Sequence, residues 1–85
     1  MTEAEKFSLL VKFQCEKSKV RITTVENAVY HCKLLGQCED GDEYAYEFFS
    51  PDYPTKFFAL DCDFIERIEA ISEDEWQRHL KNKNS

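Results

Sequence analysis

Glycine and proline are nearly absent, with two of each in 85 residues. Their scarcity excludes collagen-like chains and Gly- or Pro-rich disordered chains. It also leaves no glycine-rich phosphate loop, which needs small residues to bring backbone amides close to a ligand. Long apolar runs are missing too: nothing approaches the ~20 residues of a membrane-spanning helix. No apolar leader precedes the first charged residues, so a cytoplasmic protein is expected. Basic residues are the minority, eleven against seventeen acids, giving a formal charge of −6. Nucleic-acid affinity comes largely from neutralising phosphates, so direct binding to DNA or RNA is not expected and a basic protein is the natural partner. The four cysteines, Cys15, Cys32, Cys38 and Cys62, include no C-x-x-C pair. Zinc held by His31, Cys32 and Cys38 is disfavoured, because adjacent strand residues point to opposite faces. Reduced thiols packed as small apolar groups are expected instead. No nucleophile elbow or paired metal motif is present, so no catalytic residues, metal or cofactor are expected.

What the chain does have is aromatic side chains, concentrated in one stretch. Eight of its eleven Phe and Tyr residues fall between Asp42 and Ile71. Two strand-like runs, 43–49 and 55–60, lead there into a segment with Asp61, Asp63, Ile65 and Ile68. Aromatic-dense strands suit a small sheet closed on itself. The expected fold is mainly β, a small antiparallel barrel of about five strands with an N-terminal helix and a short C-terminal helix. One domain spans 1–81, followed by a frayed tail, 82–85.

The elements can be placed along the chain. Thr2-Glu3-Ala4-Glu5 has the form of a capping box. The segment after it reads two ways, since Ala4, Phe7, Leu10, Val11 and Cys15 fit a helical stripe while Phe7, Leu9, Val11, Phe13 and Cys15 alternate as in a strand. The cap and the helix-forming Glu, Ala, Lys, Leu and Gln favour a helix. Lys19–Val25 is β-branched and reads as a strand. Glu26-Asn27 offers a turn, and Ala28–Gly36 returns with Tyr30, Cys32 and Leu34 on one face and His31 and Lys33 on the other. Asp40-Gly41 marks another turn. The next strand, Glu43–Ser50, aims Tyr44, Tyr46 and Phe48 inward and Glu43, Ala45 and Glu47 outward. Pro51 and Pro54 end it, and Thr55–Leu60 forms another strand. Asp61 and Asp63 read as a polar turn or short 3₁₀ segment joining two strands rather than as a catalytic pair. Ser72-Glu73-Asp74-Glu75 is a second capping box, with Ile71 and Trp76 placed as a hydrophobic staple, and it predicts a helix over Glu73–Lys81 with His79 on its surface.

One helix, five short strands and these motifs describe an Sm-like or SH3-like small barrel. Cys15 to Thr23, then Glu43-Tyr44, then Ala59-Leu60-Asp61, resemble the Rof (YaeO) family of Rho-binding antiterminators across about Leu9–Ala70. The aspartate-to-isoleucine interval, Asp61–Ile65, is longer than in that family. The resemblance implies a non-enzymatic inhibitor whose acidic surface covers the basic RNA-binding face of a partner protein. Candidates for that surface are Glu16, Glu26, Glu39, Asp40, Asp42, Glu43 and Glu47. A competing expectation is a WYL-like small-molecule or nucleotide sensor, also a small barrel, with Tyr44, Tyr46 and Tyr53 lining a pocket. An RNA-binding Sm-type ring is a third, disfavoured by the charge.

Overall fold

The computed structural model describes residues 1–39 and 44–83. Its order is α1 (Glu3–Cys15), β1 (Lys19–Thr24), β2 (Val29–Gln37), β3 (Ala45–Phe49), β4 (Phe57–Asp61), a 3₁₀ turn (Cys62–Phe64), β5 (Ile65–Ile71) and α2 (Glu73–Lys83). The strands form one antiparallel sheet in the order β4-β3-β2-β1-β5. Five strands flanked by two helices match the sequence reading. The expected closure does not, because β4 and β5 stand at opposite ends of this sheet and it is not closed. Strand count and aromatic content are local properties, whereas closure depends on strand tilt and shear across the whole sheet.

The ambiguous N-terminal segment is helical, and its capping box is complete. Thr2 Oγ1 accepts from the Glu5 amide at 3.2 Å, and the Thr2 amide donates to Glu5 Oε1 at 3.0 Å. Leu10 is wholly buried, with Phe7 and Phe13 packed beside it on the sheet. The helix ends in a Schellman arrangement. The Ser18 amide donates to the Phe13 carbonyl and the Lys17 amide to the Gln14 carbonyl, with Lys17 left-handed at φ 59°.

β1 alternates as its β-branched residues require, burying Val20, Ile22 and Thr24. Asn27 takes the left-handed conformation expected of it, at φ 68°. β2 serves two partners: Val29–Cys32 pairs with β1 and Lys33–Gln37 with β3. The register slips between Leu34 and Gly36, and Gly36 has φ 142°, a conformation that favours glycine. The bulge lies inside the part of β2 that pairs with β3, and a bulge of this kind bends its own strand.

Phe48, Tyr46, Ile22, Ile65, Cys32 and Cys62 form the centre of the core with Leu10 and Val20. In β3, Tyr46 and Phe48 face inward and Glu47 outward as expected, but Ala45 is buried rather than exposed. It pairs with Asp61, and its carbonyl accepts from the Cys38 amide at 3.1 Å. A methyl group between flanking chains has little left to expose. β4 starts at Phe57, two residues later than expected, because Pro51–Lys56 is held as a loop by Tyr53-to-Ser50, Lys56-to-Tyr53 and Ser50-to-Lys56 backbone bonds. Cys62–Phe64 is the anticipated 3₁₀ turn. No helix among the described residues is long and apolar enough to cross a membrane.

Candidate functional site

The seven carboxylates expected to meet a partner do not all converge. Glu16, Glu26, Glu39 and Glu47 are exposed, while Asp40, Asp42 and Glu43 lie outside the described residues. The β1–β2 register puts Glu16 and Glu39 toward one end of the hairpin and Glu26 in the turn at the other. Glu47 sits in a different setting, on the outer face of the sheet.

That outer face is built by strand parity. Phe48 opposite Phe58 points into the core, so Glu47 opposite Ala59 and Phe49 opposite Phe57 point out. Glu47 is also level with Gly36 on its other side. Its two cross-strand neighbours are therefore a glycine and an alanine, too small to shield its carboxylate. Leu35, the residue at the bulge, is 39% exposed, and Phe57 is 62% exposed. Phe57 leans on Phe49 with ring centroids 5.2 Å apart. Leu35, Glu47, Phe57 and Ala59 share a shallow hollow of about 310 Å³. The arrangement is an apolar platform holding one unshielded carboxylate, suited to a side chain that is both flat and cationic. Sequence reasoning found Glu47 but missed Leu35 and Phe57, although the parity of Thr55–Leu60 against β3 would have placed Phe57 outward.

A second cluster lies where α2 crosses the sheet. Ser72 Oγ caps α2 by accepting from the Glu75 amide at 3.1 Å, and Trp76 is buried. Glu75, His79 and Lys83 then follow one another at four-residue steps along one helical face. α2 extends to Lys83, beyond the expected Lys81, so two residues of the anticipated tail are helical. The face meets His31, which the register sets beside Arg21. Arg21 in turn contacts Glu69 at 2.8 Å and Glu75 at 3.4 Å. The His31 and His79 rings stack at 3.9 Å and 16°. Both were expected on open surface, yet their side chains are only 18% and 20% exposed. The expectation placed His31 correctly on the face opposite Cys32 but did not foresee that α2 covers it.

Asp52 completes this cluster from the Pro51–Lys56 loop. Its amide donates to Ser50 Oγ at 3.1 Å, turning the side chain toward β2. The β2–β3 pairing stops at Lys33 and Phe49, and Asp52 Oδ2 takes the His31 amide beyond that point at 3.0 Å. Asp52 Oδ1 lies 2.7 Å from His79 Nε2 and 3.2 Å from Lys83 Nζ. Burial works against its charge, but the His31 amide, His79 and Lys83 outweigh it and hold the carboxyl below the ordinary aspartate value.

The three tyrosines expected to line a ligand pocket are divided. Tyr44 and Tyr46 pack on Phe7, and Tyr46 donates its hydroxyl to Gln14 Oε1. Tyr53 instead stacks on Phe58 at 4.2 Å. No protein-family model matches the chain, and neither the curated proteins nor the solved structures provide a significant match.

Proposed function

We propose that this chain is a non-enzymatic, acidic protein-interaction module that engages a basic partner through the outer face of β2, β3 and β4. The observation that carries the reading is the Glu47 carboxylate, standing between Gly36 and Ala59 beside the exposed Phe57 ring. An arginine of the partner would stack on Phe57 and pair with Glu47, and both contacts favour guanidinium over ammonium. The excess of acids over bases steers such a partner in from a distance. The strand order, with β5 returning beside β1 after a 3₁₀ turn, supports classing the sheet with the Sm-like and SH3-like small barrels. Together with the Rof-like motifs it favours an inhibitor that occupies the RNA-binding surface of a basic protein in the cytoplasm.

The transcription terminator Rho is the first probe, because the resemblance names it. Purified Rho should bind the chain at low salt, compete with RNA for it, and release it by about 0.5 M salt, where the Debye length is only a few ångströms. Glu47→Lys and Phe57→Ala should each weaken the complex at least tenfold. Failure of Rho alone to bind removes Rho as the partner. If Rho binds equally well to both variants, the proposed face is wrong.

A further inference from the structure

The junction between α2 and the sheet contains a donor set that the interaction reading leaves unused. We infer that His31, Asp52 and His79 form a binding site for a divalent transition-metal ion of the zinc type. The three come from β2, the Pro51–Lys56 loop and α2, and their nearest ligand atoms all lie within 4.8 Å of one another. Two imidazoles and a carboxylate are a borderline donor set that suits Zn²⁺ rather than Ca²⁺ or Mg²⁺, which prefer oxygen. Tetrahedral zinc at ~2.0–2.1 Å from each donor needs donor atoms roughly 3.3 Å apart. His79 Nε2 is already 2.7 Å from Asp52 Oδ1, and His31 Nδ1 is 3.7 Å from Asp52 Oδ2. Seating the ion needs the two ring nitrogens and one Asp52 oxygen to shift from these positions, within the 4.8 Å that already contains them.

The surroundings supply what a metal-bound histidine needs. With Nδ1 of His31 facing the ion, its Nε2 lies 3.3 Å from Glu75 Oε2. A carboxylate bonded behind a metal-bound histidine fixes the tautomer and raises the ligand's basicity, and Glu75 is the carboxylate within reach of that nitrogen. The His31 amide holds Asp52 Oδ2 and leaves Oδ1 to turn toward the ion. Two cations stand nearby. Lys83 must leave Asp52 Oδ1, and its side chain is half-exposed and free to swing into solvent. Arg21 is committed to Glu69 and Glu75. Three protein ligands leave a fourth position for water at the rim of the hollow lined by Arg21, His31, Glu75, Arg78, His79 and Asn82. A filled site would clamp α2 to β2 and the loop.

The test uses the full chain with Cys15→Ser and Cys38→Ser, which removes the two thiols outside the buried core as competing ligands. Calorimetric titration with Zn²⁺ should give one ion per chain, weakened at least tenfold by His79→Gln and by Asp52→Asn. Co²⁺ should give the visible bands of a four- or five-coordinate site without a thiolate charge-transfer band. Folding of the variants is checked by circular dichroism. Independently of them, histidine ¹⁵N resonances of the unsubstituted chain should show Zn²⁺ shifting His31 Nδ1 and His79 Nε2. No binding at millimolar Zn²⁺, binding that needs the thiols, or unchanged ring resonances would overturn the site and leave the cluster as a polar latch. Neither result bears on whether Glu47 and Phe57 bind a partner.

Discussion

Phe48 and Phe57 lie on neighbouring strands and face opposite ways, so the same ring has two different jobs. Phe48 is fully buried, stacked 5.4 Å from Phe58 and tilted against Tyr46 at 5.9 Å. Phe48→Ala should remove ~3–5 kcal/mol, enough to unfold much of a domain this small. Phe57→Ala should change stability by no more than ~0.5 kcal/mol while losing partner affinity, and chemical denaturation alongside a binding isotherm separates the two effects. The thiols divide in a similar way. Burial raises the Cys62 thiol to about 11 and raises that of Cys32 further, although Ser50 bonds to it. Both stay protonated at neutral pH, whereas Cys15 is exposed. Timed alkylation at pH 8 should therefore label Cys15 first and reach Cys32 and Cys62 only on unfolding.

At the scale of elements, both helices depend on their ends. Lys17 occupies a left-handed position usually given to glycine, where a side chain costs ~1 kcal/mol or more. Lys17→Gly should accordingly raise the unfolding free energy by ~0.5–1 kcal/mol in urea melts. Glu5 is held below its ordinary value of 4.5 by the bonds from Thr2, and Glu73 by those from Gln77 and Lys19. For a lowered carboxyl the stabilising contribution is complete above the unfolded-state pKa and fades as pH falls through the folded one. Acid titration below pH 4.5 should fray the first turns of both helices, by a small amount because both groups are fully exposed, and Thr2→Ala should remove the α1 share. Such features were legible because they are local: Thr2 and Glu5 lie three residues apart, Asn27 marks its own turn, and Pro51 ends its strand. The Lys17 stop was not, since nothing in the side chain of a lysine announces a left-handed backbone.

For the whole molecule, what the sequence left hidden is contact between distant segments. His31 and His79 are 48 positions apart, and only the docking of α2 on the sheet brings them together. Alternation correctly assigned His31 to the face opposite Cys32, but no periodicity tells which outer face a later helix will cover. Glu47 could be read as an outward carboxylate. Its isolation between Gly36 and Ala59 could not, because that depends on a register that slips at the bulge. The fourfold step from Glu75 to His79 to Lys83 was the one available clue to the covered histidines.

The decisive measurement is a backbone amide nuclear magnetic resonance titration of the labelled chain with a short arginine-rich peptide at low and high salt. The largest shifts are expected at Leu35, Glu47, Phe57 and Ala59, disappearing as salt rises and absent in Glu47→Lys. Shifts centred on α1 or on the Glu26 turn, with the β3–β4 amides unmoved, would contradict it.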